Sequence, residues 1–146
     1  MTRNTTDPRR HLKSASSGQA AAEFGIAATV LFLLMFGLMN LGSAVYDYNT
    51  ISNAAREAVR YAAIHSPTSA SPSKSPYTDV KQVVVDYAPG LNLTTSQVDV
   101  DFQKDTRMTT RYDAIVTVTY PYTLNMPFMN SVDLSFTSTA QMLASQ

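Results

Sequence analysis

The chain has 146 residues, which sets the expectation of one small domain. Its 11 basic and 11 acidic side chains cancel, so no bulk attraction to nucleic acid is expected. It contains no cysteine, which excludes a disulfide scaffold and a thiolate metal site.

Residues Met1 to Ser17 are polar, with Arg3, Arg9, Arg10, His11 and Lys13 against the single acid Asp7. Too little apolar surface is present to offset ordering entropy, and a disordered leader is expected. From Phe24 to Val45 no residue is charged. As a helix this run would span about 33 Å, against about 30 Å for a bilayer hydrocarbon core. The basic cluster precedes it, so the positive-inside rule keeps the N-terminus cytoplasmic and exports the rest.

The helical period continues past the apolar run. Tyr48, Ile51, Ala55, Val59 and Ala62 recur at intervals of three and four, while Arg56, Glu57 and Arg60 share the opposite face. Pro67 is expected to stop the helix, since the residue before a proline disfavours helical geometry. One helix from about residue 20 to 65 would be about 65–70 Å long. His65 at its end suits the negative pole of the helix dipole.

Ser66 to Pro76 is rich in serine and proline and reads as a loop. Tyr77 to Ala88 reads as a short helix with Thr78 as N-cap and Val80, Val83, Val84 and Tyr87 on its apolar face. Pro89-Gly90 ends it. The rest alternates with period two. Val98, Val100 and Phe102 mark one strand. Tyr112, Ala114, Val116, Val118, Tyr120 and Tyr122 mark a second. Val132, Leu134, Phe136, Ala140 and Met142 mark a third. Asp99, Asp101, Thr117, Thr119, Asp133, Ser135 and Thr137 fall on the other face. Lys104 to Thr110 and Asn125 to Ser131 are the links. The pattern predicts an α+β fold: a long N-terminal helix, membrane-spanning in its first half, packed on a small antiparallel meander with one short helix. The segments are a leader (1–18), a transmembrane helix (19–45), its amphipathic continuation (46–65) and an extracytoplasmic head (66–146).

Enzyme chemistry finds no support. The histidines are His11 and His65, far apart in sequence, and no nucleophile elbow, phosphate loop or metal-ligand cluster is present. Asp99 and Asp101 share a strand face, but the alternation makes that face the wet one, so solvated charge is the better reading. No cofactor is expected. Asn92-Leu93-Thr94 fits a glycosylation sequon, a pattern too frequent by chance to weigh.

The stretch Gly18-Gln19-Ala20-Ala21-Ala22-Glu23-Phe24, set between basic leader and apolar run, resembles the processing site of type IV prepilins. That likeness implies cleavage by an intramembrane prepilin peptidase between Gly18 and Gln19. It also implies an assembly role for Glu23 at mature position five, beside Phe24. The Glu-Phe pair is similar to that of the tight-adherence branch. Tyr46 to Ala62, with its Asn53-Ala54-Ala55-Arg56-Glu57 core and Arg60-Tyr61-Ala62, resembles the stretch after the membrane helix in TadE-like proteins. The strand-rich tail with Tyr120-Pro121-Tyr122 is similar as well. The resemblance implies a minor pilin or pseudopilin of a tight-adherence (Tad/Flp) pilus, serving assembly and surface adherence. Its partners would be the prepilin peptidase, inner-membrane lipid and other pilin subunits met through the N-terminal helix. Asn53, Arg56, Glu57, Arg60 and Tyr61 form a candidate interaction surface, although a solvated helix face explains the charged ones equally well.

Physical reasons stand beside the family likeness. Glycine gives a protease an uncluttered bond. Glu23 would complement the dipole of the mature helix, by about 0.3–1 kcal/mol when exposed. Alone in a bilayer it would cost about 2.5–3.5 kcal/mol, much of which a partner cation would offset; the prepilin resemblance implies that this partner is the new amine of a neighbour's Gln19. Cleavage would leave 7 basic and 10 acidic residues. Three other readings share parts of this pattern. Ordinary secretion would cut near Gly42 and Ala44. A plain signal anchor would keep its leader. A permanent membrane-anchored scaffold or binding module would share the topology and never enter a filament.

Overall fold

In the computed structural model the described residues are 9–74, 77–104, 111–126 and 130–144, with side chains described from Gly18 onward. The leader's first eight residues lie outside them, as do 105–110 and 127–129, on which most of the two expected strand links fall.

Helix α1 runs from Arg9 to Ile64, 56 residues or about 84 Å. It starts well before residue 20, so the disorder expected for the leader does not hold over residues 9–17. Lengthening an existing helix adds a hydrogen bond per residue without a new nucleus, which polar residues with fair helix propensity can follow. At the other end α1 stops three residues before Pro67, where the backbone N–H of His65 donates to the Tyr61 carbonyl at 3.1 Å. The His65 Nδ1 lies 3.0 Å from the same oxygen, and its ring stacks on Tyr61 with centroids 4.0 Å apart.

Helix α2 spans Thr78–Asp86. Thr78 is not its N-cap. Tyr77 holds that place at φ 57°, a left-handed conformation costly for a side chain with a Cβ. The Tyr77 ring packs against Phe102 with centroids 5.0 Å apart, which holds the residue there. The Ser73 hydroxyl donates to Asp79 at 2.6 Å and ties the preceding loop to the first turn of α2. Val80, Val84 and Ala88 are buried and Val83 half-buried, but Tyr87 is exposed, beyond the edge of the apolar face. Gly90 at φ 85° makes the turn that follows.

A 3-10 turn at Thr95–Gln97, which periodicity does not reveal, leads into strand β1, Val98–Lys104. Strands β2, Tyr112–Leu124, and β3, Val132–Leu143, complete an antiparallel meander ordered β1-β2-β3. The register pairs Val100 with Val116 and Val116 with Ala140, so the expected apolar residues share one face. Asp99 opposite Thr117 and Thr119 opposite Thr137 confirm the wet face.

The core lies between that dry face and the second half of α1. Ile51, Ala54, Ala55, Ala58 and Ala62 are fully buried against Val116, Val118 and Ala114, with Val80 and Val84 of α2 alongside. Alanine at most of these helix positions lets the backbone approach the sheet closely. Tyr48, expected on the apolar face, sits at its rim, exposed, with its ring edge-on to Phe136.

The strands are unequal. The β1 pairing ends at Val98 opposite Val118, while β2 and β3 continue as a two-stranded ribbon as far as Leu124 opposite Val132. Within the ribbon β2 is itself an edge, where Pro121 is tolerated. The ribbon runs back along α1 toward the N-terminal half. There the Tyr122 hydroxyl donates to the Asn40 carbonyl at 3.0 Å, and the Asn40 amide donates to the Asn125 carbonyl at 3.1 Å.

Candidate assembly and processing site

Gly18, Gln19, Glu23 and Phe24 all lie on α1 and all are exposed. Gly18 sits inside the helix rather than in a flexible leader, so the cleavage expected there would require local unwinding. Glycine makes this a weak point, by about 1 kcal/mol against alanine. Gln19 and Glu23 stand one turn apart, and the Gln19 amide donates to the Glu23 carboxylate at 3.0 Å. In the uncut chain, therefore, the side chain of the residue expected to become the new N-terminus already partners that carboxylate. Phe24 leaves 75% of its surface uncovered.

Beyond them the helix presents Ile26, Val30, Leu31, Phe32, Leu34 and Leu38 outward. Among the described residues one helix is long and apolar enough to cross a membrane, and none of its most apolar window is buried within the chain. That fits a single-pass membrane anchor. Gly37 and Gly42, small enough to let another helix pack closely, have no neighbour within 4 Å of where a Cβ would stand. Asn40 spends its amide on the Phe36 and Asn125 carbonyls, both within this chain.

The residues expected to form an interaction surface are divided. Arg56, Glu57 and Arg60 line an open groove of about 580 Å³ between α1 and the free edge of β3, with Thr137 to Met142 as its other wall. Glu57, Arg60 and Tyr61 line a smaller hollow of about 220 Å³ against Val83 and Tyr87 of α2. Asn53 is exposed and lines neither. Glu57 and Arg60 thus form the ridge between two depressions, which helical spacing alone does not reveal.

Among the described residues no cluster of three or more metal-ligating side chains occurs. Asp101 accepts from the Gln103 amide on the wet face, an arrangement of solvated surface groups.

Residues 18–60 match the family model of TadE-like proteins. Over that stretch the chain is similar to TadE-like proteins. The family is associated with Tad pilus assembly, and its pilus proteins are structural. The match takes in Gly18, Gln19, Glu23, Phe24, Asn53, Arg56, Glu57 and Arg60, and stops one residue short of Tyr61. No curated protein and no solved structure matches the chain. The sheet lies beyond the matched stretch, so its description rests on the fold alone.

Proposed function

We propose that this protein is a minor pilin or pseudopilin of a tight-adherence pilus, cut between Gly18 and Gln19 and anchored in the inner membrane with its head outside the cytoplasm. The observation that carries the reading is one helix with two kinds of surface. Its second half is buried under the head, while its first half carries large apolar side chains that nothing in the chain covers. Such a surface is stable in lipid or against other helices of its kind, and stacking those helices hides them from water. Glu23 then sets the register between subunits by pairing with the amine of a neighbour's Gln19.

N-terminal sequencing of the protein from native membranes tests the processing step. A start at Gln19 is expected; an intact Met1 or a start near Val45 would overturn it. Glu23→Ala tests assembly: cleavage should persist while incorporation into sheared pili is lost. Normal incorporation of that variant removes the register role. Complete absence of the wild-type protein from sheared pili moves the assignment to a permanent membrane scaffold.

A further inference from the structure

The β2–β3 ribbon is longer than the head needs. Its dry face is covered by α1 around Val116 and Val118, yet farther along, beside the buried Tyr122, its β3 side opens, where Val132 and Leu134 are 46% and 44% exposed. Leu134 pairs with Tyr122, whose hydroxyl is held on the Asn40 carbonyl, so this strip lies at the level of Asn40 and Leu41 on α1. Leu41 is exposed too, and helix and ribbon together present apolar surface at one height.

That height follows from the helix rise. Glu23 to Asn40 is about 26 Å, less than the hydrocarbon thickness of about 30 Å. With Glu23 at the inner boundary, the end of the ribbon meets the helix inside the outer boundary, not above it. In sequence, Pro121 to Val132 carries no charge. Asp133 lies on the opposite face and accepts from the Thr123 hydroxyl at 2.8 Å. The Tyr122 and Tyr48 rings both meet Phe136 beside this strip, and tyrosine is enriched where hydrocarbon meets water.

We propose that the end of the β2–β3 ribbon is a second membrane contact, with the dry face at Val132 and Leu134 immersed in the outer margin of the bilayer. The head is then fixed in orientation, pinned by the helix and by the ribbon, instead of swinging on a single stalk. The proposal rests on the anchor reading of α1, and the test separates the two.

The chain contains no tryptophan, so single substitutions give clean probes. The full chain is reconstituted in phosphatidylcholine vesicles with or without brominated acyl chains, carrying Phe32→Trp, Leu134→Trp, Val132→Trp or Gln103→Trp. Gln103 is exposed on the wet face of β1, away from the ribbon end, and should be unquenched. Expected are a blue-shifted emission and strong quenching by brominated lipid for Phe32→Trp, and a clear though smaller quenching for both Leu134→Trp and Val132→Trp. Quenching of Phe32→Trp without quenching at either ribbon position overturns this proposal and leaves the anchor intact. Unquenched Phe32→Trp overturns both.

Discussion

On α1, Phe24, Ile26 and Leu38 each leave at least 68% of their surface uncovered, whereas Ile51, Ala54, Ala55 and Ala58 on the same helix are fully buried. The backbone geometry is one and the same. What differs is the partner. The first half offers Leu, Phe and Met on every side, as a helix must when its surroundings are uniformly apolar. The second half narrows its apolar stripe to Ala, Ile and Val, because a sheet approaches from one direction and closely. The contrast teaches that size and direction of apolar residues distinguish a lipid face from a core face better than hydrophobicity alone.

The sharpest way to break that contrast is to place the same acid in both halves. Val118 is fully buried in the centre of the sheet. Val118→Asp leaves an unpaired charge there, at a cost of about 3–5 kcal/mol, comparable to the whole stability of a small domain. The cooperative melting transition of the head should vanish from near-ultraviolet circular dichroism while the protein stays in the membrane fraction. Leu33→Asp should do the reverse. It adds about 2.5–3.5 kcal/mol to insertion, weakening membrane retention on alkaline extraction, and leaves the head's melting unchanged. Equal loss of head stability in both variants would mean that the two halves are not separate environments.

The alternation of Val98 to Phe102 and of Tyr112 to Tyr122 made the sheet and its wet face readable, because side-chain parity is intrinsic to a strand. The α1 terminus near Pro67 was equally readable. The start of α1 was not: the leader's composition argues for disorder, but a preformed helix next to it changes the energetics. Thr78 looked like a cap by residue type, yet the ring contact of Tyr77 with Phe102 decides the turn, and that contact joins residues far apart in sequence. The docking of the ribbon on Asn40 was out of reach for a similar reason. Periodicity gives a strand's faces and not the level at which its end meets another element. The Gln19–Glu23 hydrogen bond was implicit in a four-residue spacing. The groove beside Arg56 and Arg60 depended on where the free edge of β3 falls.

A smaller effect separates the two halves at their junction. The Tyr122 hydroxyl ties ribbon to helix at the point where the buried half gives way to the uncovered one. Tyr122→Phe keeps the ring, its stacking on Phe136 at 5.1 Å and the burial, and removes one hydrogen bond. A loss of about 0.5–1.5 kcal/mol is expected. Hydrogen exchange should quicken in the ribbon, Thr119–Leu124 and Val132–Thr137, while the amides of β1 keep their protection. Uniform quickening across the sheet would show that the ribbon and the three-stranded part open as one unit.

The smallest effect concerns protons at the same junction. Burial raises the Tyr120 phenol above its ordinary value of 10.0, with the negative charge of Asp47 and then Tyr122 adding to the shift. Burial also raises the Asp47 carboxyl above its ordinary value of 3.8. Both groups bind protons more tightly folded than unfolded, so both contributions have one sign: stability declines as pH rises through each shifted range. For Tyr120 the contribution is complete below the ordinary phenol value and is lost as pH climbs through the folded one. Melting temperature should therefore drop above about pH 10, and Tyr120→Phe should flatten part of that drop. Asp47→Asn should flatten less of it, because it removes the charge and leaves the burial. If Asp47→Asn flattened the alkaline drop as fully as Tyr120→Phe, the carboxylate rather than burial would govern the phenol, and the junction would be an electrostatic seam between two differently solvated halves of one helix.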